Sequence, residues 1–551
     1  MLLRHLKKPS ANYFTTVLIL FWLCGGLLWI LPNRGGSGLT LPQNLLAWSV
    51  LALVALCCGI LSPRVKAAYP PGTLLMLTGA ALWSLPLLWS PLPAWQYNAV
   101  AKVLALWGLV GIWLLMLKST GCHRMRRGWL LILVVSALLQ VVFGLFQLSD
   151  IEHLVGGRPY GSFQQVNVLA SFLATGTVCA LWLFMASRQR LTTMISGVAL
   201  VLLPAMLVLL QSRAGELGAI TGALVLLLVD VKKRRRAGCS VLLLMMGAGV
   251  GFLTLHFGPL LFPGHIPELV QKEGSNNQRW YILKLTWQLI MNHPVIGNGY
   301  GSFEALFGQL SQQIPPGMIN DTIEYPHNEL FYTWMEGGLV AVAGIVLMLV
   351  SILRRLWGRG GARWRGLAVM LPLAIHMNLE YPLYQSVTHG LMLVMLLAIT
   401  GPAVRANTAP NDGFEKPLRM GVWLVSCSVL VFMISGVVTE VQLTRIEQQG
   451  LVPFAQDEQT VVDSLANPYS QYERLDFDRH VALLLRFNIT RDVTLLTRFR
   501  SWAERYSNVH NDPAVYNSLL MIYRAQGVPS AQSLCLKAKA MWPDDPRFGC
   551  L

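Results

Sequence analysis

The sequence predicts an all-α, polytopic membrane protein with about 13 transmembrane helices, followed by a small helical domain at the carboxy terminus. Three observations lead to this fold class. Hydrophobic residues make up 54% of the 551 residues and charged residues only 13%, whereas a soluble globular chain is about 25% charged. Long apolar stretches recur through most of the chain, and the composition becomes charged after residue 438. Soluble enzymes, disordered chains and nucleic-acid-binding modules are thereby excluded.

Each predicted span is a mostly apolar stretch of about 20 residues, the length that crosses a bilayer as a helix. The stretches lie near residues 12–32, 42–62, 71–90, 98–117, 128–148, 164–187, 191–211, 214–230, 239–258, 329–353, 366–381, 386–404 and 420–438. They divide the chain into amino-terminal helices over 1–258, a loop with an amphipathic helix over 259–328, further helices over 329–438 and a helical domain over 439–551.

The net charge of +16 follows the predicted topology. More than half of the 43 Lys and Arg fall in alternate connecting segments, near residues 4–8, 64–66, 118–127, 188–190, 232–236, 354–365 and 405–419. The positive-inside rule places these segments, and with them the amino terminus, in the cytoplasm. The basic runs are therefore interpreted as topology signals rather than as a nucleic-acid surface.

Residues 439–551 are predicted to form a separate extracytoplasmic domain. Two apolar-periodic runs, Ala514 to Tyr523 and Ala531 to Met541, are separated by Gly527 and resemble one tetratricopeptide-like helical hairpin. A small irregular helical bundle is an equally good interpretation. Cys535 and Cys550 share this compartment, so a disulfide between them is possible but is not established by their positions.

The first polar segment of interest, residues 157–167, opens the sixth predicted span. Its Gly and Pro residues mark a turn that delivers Gln165 and Asn167 to a helix start. Capping of that helix is the simpler explanation for these two side chains when they are taken alone.

The second polar segment, Gln211 to Gly215, is a short break between two apolar stretches. It places Arg213 at the outer edge of the hydrocarbon. An arginine there can extend to the interface as an anchor, or it can face a cavity or an anionic partner. The sequence leaves both interpretations open.

The third polar segment lies in the longest connecting loop, residues 259–328. Projected on a helix, its polar residues form one stripe: Asn277, Lys284, Gln288 and Asn292. Arg279 falls on the opposite, apolar side, where a charge requires a counter-anion. The glycine-rich turn over 294–301 has no preceding strand and is too irregular for a phosphate-binding loop, so it does not predict a nucleotide site.

The fourth polar segment opens the tenth predicted span with His327, Asn328 and Glu329. Glu336 follows on nearly the same helix face. Two carboxylates on one face of a membrane helix are not expected to point at lipid, so this face is predicted to line a polar site.

His376 and Glu380 share a face of the eleventh predicted span, and Tyr381 follows at its end. Together with His327 and Glu329 they offer ligand types for a metal. Because no dense ligand motif accompanies them, the metal-free interpretation is preferred.

Four of these segments, in this order along the chain, resemble one protein family. They are Gln165-x-Asn167, Ser212-Arg213-Ala214-Gly215, the Arg279 to Gly299 stretch, and His327-Asn328-Glu329 with Glu336-Gly337. The set is similar to the polytopic O-antigen ligase and polymerase superfamily, from about residue 150 to the end. The extended carboxy-terminal domain looks most like that of the pilin-type bacterial protein O-oligosaccharyltransferases. One departure is Val168, where many relatives have a histidine.

The resemblance implies transfer of a glycan from an undecaprenyl-diphosphate carrier on the periplasmic side of the bacterial inner membrane, without a metal, cofactor or nucleotide sugar. We expect His327 to act as the base toward the attacking hydroxyl. Arg213 and Arg279 are expected to bind the diphosphate, because arginine forks suit phosphate oxygens. The candidate substrate-binding residues are Arg158, Gln165, Asn167, Asn328, Glu329, Glu380 and Tyr381.

The resemblance leaves the acceptor open. The carboxy-terminal domain favours a protein, such as a pilin-like or other periplasmic protein, glycosylated on Ser or Thr. The same site would serve an O-antigen ligase acting on lipid A-core, or an O-antigen polymerase. A transporter of lipid-linked sugars would instead carry mid-membrane polar groups on broken, repeated helices, and the sequence shows no such repeat.

Overall fold

The computed structural model describes residues 11–61, 66–67, 71–119, 123–230, 233–270, 273–315, 318, 322–356, 360–401, 406–407 and 415–550. Some of the basic residues used for the topology prediction lie outside this part of the chain, namely those of residues 4–8, Arg64, Lys232, Arg359 and Arg405.

The described chain is helical apart from one short strand pair. Its helices are α1 (Ala11–Cys24), α2 (Pro42–Leu61), α3 (Thr73–Ser84), α4 (Pro93–Ser119), α5 (His123–Gln147), α6 (Val166–Ala186), α7 (Arg190–Leu210), α8 (Arg213–Val229), α9 (Arg234–Leu261), α10 (Glu273–Asn292), α11 (Phe303–Leu310), α12 (Glu329–Leu356), α13 (Gly361–Met377), α14 (Pro382–Gln385), α15 (Val387–Thr400), α16 (Glu415–Gln448), α17 (Val452–Gln456), α18 (Glu458–Ser464), α19 (Tyr472–Thr490), α20 (Val493–Tyr506), α21 (Pro513–Ala525) and α22 (Ala531–Met541). Strands β1 (Lys66–Ala67) and β2 (Ala406–Asn407) pair antiparallel, with Lys66 opposite Asn407.

A helix occupies every stretch that the sequence predicts to span the membrane. Within the described residues, eight helices are long and apolar enough to cross a bilayer: α2, α4, α5, α6, α7, α9, α12 and α16. The apolar helices at Asn12–Leu28, Thr73–Trp89 and Val387–Thr400 are shorter. The helical, multi-pass character of the chain is thus confirmed, whereas a total of about 13 crossings stays a prediction.

The chain divides into two compact units. Unit 1 takes the described residues of Met1–Met76, Gly108–Val270 and Leu349–Val437, and unit 2 those of Leu77–Trp107, Gln271–Met348 and Val438–Leu551. The sequence-predicted boundary at 438/439 falls inside α16, which continues as one helix to Gln448.

Helix α6 is the centre of unit 1. Its apolar stretch is 89% buried, and it contacts α5, α7, α8 and α13. Close packing is possible because α8 presents a face of glycines. A Cβ atom on Gly222 would lie 2.6 Å from Val178 of α6 and 2.9 Å from the carbonyl oxygen of Ala368 of α13, so any larger residue would push the helices apart.

In unit 2, the helices that follow α16 form a small domain with its own apolar cores. Phe499 and Trp502 of α20 pack with Leu519 of α21 in one core. A second core holds Tyr516, Trp542 and Phe548 around the Cys535–Cys550 disulfide, which the structure contains. The two helices predicted from residues 514–523 and 531–541 are present as α21 and α22, while their tetratricopeptide-like character stays a prediction.

The last turns of α16 belong to this domain. Leu443 is fully buried against Phe454, Val461 and Leu475. Arg474 of α19 donates to Glu447 at 2.7 and 2.6 Å and to Glu440 at 3.1 Å. These contacts explain why α16 continues beyond its apolar stretch, because they stabilise helical turns that are too polar to lie in a membrane.

Segment 508–512, between α20 and α21, is fixed to α11 within unit 2. The Glu304 carboxylate accepts a 2.6 Å bond from the backbone N–H of Asn511 and lies 3.0 Å from His510 Nδ1. The Trp95 indole donates to the carbonyl of Asn508 at 2.8 Å. The α10–α12 connection and the carboxy-terminal helices are therefore joined by hydrogen bonds that involve charged groups.

Candidate active site

Three of the predicted polar segments begin their helices with the same two-residue turn. A left-handed residue comes first: Gln164 (φ 58°), Gln211 (φ 53°) and His327 (φ 56°). A polar N-cap follows in each case: Gln165, Ser212 and Asn328. Positive φ is uncommon for residues other than glycine and costs free energy. The turn is a tertiary feature that the sequence patterns do not reveal.

Among the described residues, the same turn also occurs outside the predicted site. Arg491 has φ 57° and precedes Asp492, which caps α20. The conformation therefore positions side chains at short connections between helices, and it does not by itself identify a catalytic residue.

At the start of α6, Gln165 is a helix cap. Its Oε1 accepts a 2.7 Å hydrogen bond from the backbone N–H of Val168. The capping interpretation of the sequence therefore describes this side-chain oxygen.

Asn167 joins three helices of unit 1. Its Oδ1 accepts a 2.8 Å bond from the Ser212 hydroxyl at the start of α8, and its Nδ2 donates to Glu380 Oε1 at 3.3 Å, just after α13. Glu380 is only 4% exposed. The structure thus brings Asn167 and Glu380 into contact, and Tyr381 follows at the start of α14.

Arg213 is the first residue of α8, and its side chain is exposed. The amino-terminal end of a helix carries partial positive charge and unsatisfied N–H groups, so an arginine there adds to a positive potential. Glu216 in the same first turn offsets part of it. The helix end and Arg213 thus contribute positive potential at this position, and the Glu216 carboxylate contributes the opposite sign.

The loop before α6 is held by two glutamines of α5. Gln140 is fully buried and exchanges hydrogen bonds with Ser162, at 2.8 and 3.1 Å. Gln147 accepts from the N–H of Tyr160 and Gly161 at 3.0 and 2.8 Å. Sequence analysis missed both residues, although two glutamines seven apart in an apolar helix share a face and provide a signal.

Arg158 in this loop donates to the carbonyl of Leu210, the last residue of α7, at 3.0 Å. Its Nε atom is buried without a hydrogen-bond partner among the described residues. Burial lowers the pKa of the guanidinium, which still remains protonated at neutral pH. Arg158 therefore keeps a donor for a further acceptor.

In unit 2, Arg279 lies on α10 and is half-buried. The opposite side of the helix is the predicted polar stripe, and all of its members are exposed: Asn277, Lys284, Gln288 and Asn292. The buried face carries Ile282, Thr286 and Ile290. Arg279 is thus separated from the water-exposed stripe of its own helix.

His327 comes directly before α12 and is half-buried. The cap of this helix is Asn328, whose Oδ1 accepts a 2.9 Å bond from the backbone N–H of Phe331. The neighbouring amide of Asn328, rather than the His327 imidazole, therefore caps α12. Glu329 accepts from the Thr333 hydroxyl at 3.5 Å.

The glycine-rich turn after α10 is bonded to a kink in α12. The N–H of Gly299 donates to the carbonyl of Glu336 at 2.9 Å, and that of Leu339 donates to Pro294 at 3.0 Å. Gly338 has φ 64° inside α12, and a Cβ on Gly297 would overlap the Glu336 backbone. The turn therefore packs closely against α12.

Sequence analysis missed two buried polar groups. Lys102, in the middle of α4, forms an ion pair with Glu336. His389 of α15 is fully buried, with Nε2 3.0 Å from the Ser171 hydroxyl. Ionisable residues inside apolar helices are the signal that could have identified both.

The candidate residues belong to two groups. Unit 1 holds Arg158, Gln165, Asn167, Arg213, Glu380 and Tyr381, and unit 2 holds Arg279, His327, Asn328 and Glu329. Among the described residues, no group of three or more His, Cys, Asp or Glu side chains is arranged to hold a metal ion.

Comparisons with known proteins match successive parts of this chain. A family described as protein glycosylation ligase matches residues 159–184, and one described as O-antigen ligase matches residues 198–346. A family described as the carboxy-terminal part of a virulence-factor membrane-bound polymerase matches residues 364–548. The chain is also similar to a general O-oligosaccharyltransferase of Acinetobacter baylyi, with 24% identity in a 456-residue alignment that covers 74% of each protein.

Proposed function

Since this chain belongs to the O-antigen ligase superfamily and is most like its protein-glycosylating members, we propose that it is an oligosaccharyltransferase. It transfers an oligosaccharide or polysaccharide from undecaprenyl-diphosphate to Ser or Thr hydroxyls of an acceptor protein. The observation that carries this proposal is the order of the family matches, which include the segments of Gln165, Arg213, Arg279 and His327.

The proposed reaction is a displacement at the anomeric carbon of the glycan. The acceptor hydroxyl forms a new C–O bond while the bond to the diphosphate breaks, and the polyprenyl diphosphate leaves with its charge. Attack from the side opposite the diphosphate inverts the anomeric configuration. The donor is already activated, so the protein has to neutralise the leaving group and accept one proton.

Each of these tasks is assigned to named residues. Arg213 and Arg279 bind the diphosphate oxygens as bidentate donors, and the positive end of α8 adds to the field at Arg213. His327 accepts the proton of the attacking hydroxyl. No metal takes part in this mechanism. Substrate binding is assigned to Arg158, Gln165, Asn167, Asn328, Glu329, Glu380 and Tyr381.

The proposed location is the bacterial inner membrane. The amino terminus faces the cytoplasm, and the domain over 439–551, with its tetratricopeptide-like hairpin, lies in the periplasm and presents the acceptor protein. Support comes from the alternating basic segments, from the charged composition of the chain after residue 438 and from the apolar cores that this domain forms by itself.

Ligation to lipid A-core and glycan polymerisation are the alternatives, because matched families are described as O-antigen ligase and membrane-bound polymerase. The three activities differ only in the acceptor. A transporter of lipid-linked sugars is less favoured, because the matched families and the similar protein are described as ligases, a polymerase and an oligosaccharyltransferase and not as transporters.

Mass spectrometry of periplasmic proteins from cells with and without the gene tests the proposal. We expect a glycan-sized mass on Ser- or Thr-containing peptides that disappears in the deletion strain. Complementation with wild type should restore it, and complementation with an equally abundant His327→Ala variant should not. Loss of glycan from lipopolysaccharide alone would establish the ligase function instead.

A further inference from the structure

The ion pair between Lys102 and Glu336 is the strongest polar feature that the proposed mechanism does not use. Lys102 lies in α4, a helix apolar enough to cross a membrane, and its side chain is 10% exposed, while Glu336 is fully buried. The Lys102 ammonium also lies 4.1 Å from the ring centroid of Tyr300 and 4.5 Å from that of Tyr332. The charge is thus enclosed by a carboxylate and two aromatic faces.

The other oxygen of the Glu336 carboxylate accepts hydrogen bonds from backbone N–H groups. Oε1 accepts from the N–H of Gly301 at 3.0 Å and of Phe303 at 3.2 Å, while Oε2 faces Lys102. The carboxylate therefore fixes the end of the glycine-rich turn to α12. Burying the Glu336 carboxylate as an unpaired charge would be costly, and the Lys102 ammonium neutralises that charge.

The same turn joins the two helices that carry Arg279 and His327. Asn298 donates to the carbonyls of Leu289 in α10 and Met335 in α12, at 2.9 and 3.0 Å. The Trp334 indole donates to the carbonyl of Pro294 at 2.9 Å. The position of α10 relative to the first turns of α12 therefore depends on the turn that Glu336 holds.

Stability alone does not account for a buried ion pair. Replacing such a pair by neutral residues of similar volume is often neutral or stabilising, whereas removing one partner is strongly destabilising. We propose that Lys102 and Glu336 are positioning residues, which set the register between Arg279 on α10 and His327 before α12. This inference rests on the proposed function.

The test uses the double variant Lys102→Met/Glu336→Gln, which removes both charges and retains an oxygen for Gly301 and Phe303. We expect it to insert and melt like wild type. Its kcat should fall at least tenfold, because small displacements of catalytic groups are costly. Either single variant should be less stable than the double variant. Lys284→Met, on the exposed stripe of α10, is the matched control and should match wild type.

Hydrogen exchange supplies a readout that does not depend on activity. In the double variant we expect faster exchange over residues 294–303 and also over 325–331, where His327 lies. Wild-type kcat together with unchanged exchange over 325–331 would overturn the positioning role. Faster exchange confined to 294–303 with wild-type kcat would overturn it as well, in favour of a purely local contact. If wild type itself transfers no lipid-linked glycan, the proposed function fails, and exchange over 325–331 still decides whether the pair positions this segment.

Discussion

The Ser212 hydroxyl donates a 2.8 Å hydrogen bond to the side-chain oxygen of Asn167. Ser212 caps α8 and directly precedes Arg213, while Asn167 lies in the first turn of α6. The end of α8 that carries Arg213 is therefore fixed by α6, whose apolar stretch is 89% buried. The two sequence motifs, which are far apart in the chain, act as one structural element.

Replacing Asn167 by Ala should disturb this element. The change leaves the Ser212 hydroxyl and the buried Glu380 carboxylate without this amide, so we expect a loss of about 1–3 kcal/mol in stability. Transfer per folded molecule should also fall. Asn378→Ala, which removes an exposed amide of unit 1, is the control and should stay within about 0.5 kcal/mol of wild type. Wild-type melting and transfer rates for Asn167→Ala would contradict the prediction.

Arg213→Lys and Arg279→Lys test bidentate recognition of the diphosphate. Each variant keeps the charge and loses the planar fork, so we expect a sharp fall in transfer from the lipid-linked donor with insertion and folding intact. Arg498→Lys, an exposed arginine of α20, provides the control. Full activity of both variants would show that the fork is not needed, and unfolding of either would point to a structural role.

The variant His327→Gly separates the effect of the side chain on the transfer rate from its effect on stability. Since His327 has φ 56°, glycine should relieve backbone strain and leave the protein as stable as wild type or up to about 1 kcal/mol more stable. Transfer should nevertheless fall by about 10²–10⁴-fold, the usual cost of removing a general base. Asn328→Ala should show the opposite pattern, a cost of about 1 kcal/mol from the lost cap with a smaller effect on rate. Transfer by His327→Gly within a few-fold of wild type would exclude the base assignment.

Truncation after Gly450 tests whether the carboxy-terminal domain presents the acceptor. The cut leaves α16 intact, but it removes Arg474, so Glu440→Gln and Glu447→Gln should be included to avoid buried, unpaired charges. We expect protein glycosylation to be lost while binding of the lipid-linked donor is retained. Normal glycosylation of the acceptor by this variant would make the domain dispensable and would favour the ligase or polymerase activity.

The contact between Glu304 and His510 should weaken as pH rises. Burial acts to lower the pKa of His510, but the hydrogen bond to Glu304 and the nearby Glu473 and Glu324 carboxylates raise it overall. Burial raises the pKa of Glu324 and Glu473. The folded state thus holds more protons than the unfolded state, and the stabilisation is present at low pH and lost as pH rises through these pKa values.

Hydrogen exchange over residues 508–512, corrected for intrinsic rates, measures this effect. Protection should be greater at pH 5 than at pH 8, and Glu304→Gln should reduce the difference by removing the charged partner of His510. Protection that does not change with pH would contradict the assignment. Asp512 is the last residue of this segment and caps α21, so Asp512→Asn serves as the control for a neighbouring charge that is not bonded to His510.

The sequence by itself determined the helical, multi-pass class, the positions of the apolar helices and the resemblance to the O-antigen ligase superfamily. These properties follow from local composition, since apolar length and helical periodicity are readable residue by residue. The paired helices at residues 514–523 and 531–541 were predicted for the same reason. The exposed polar stripe of α10 was also readable, because it depends only on the angle between successive side chains.

Only the tertiary structure decided how the polar residues are used. It assigned the cap of α12 to Asn328 and not to His327, bonded Asn167 to Ser212 and Glu380, and paired Lys102 with Glu336. These contacts join residues far apart in the chain, and a buried polar group must find its partner wherever packing provides one. A pattern along the sequence shows that such a group needs a partner, and the fold determines which residue it is.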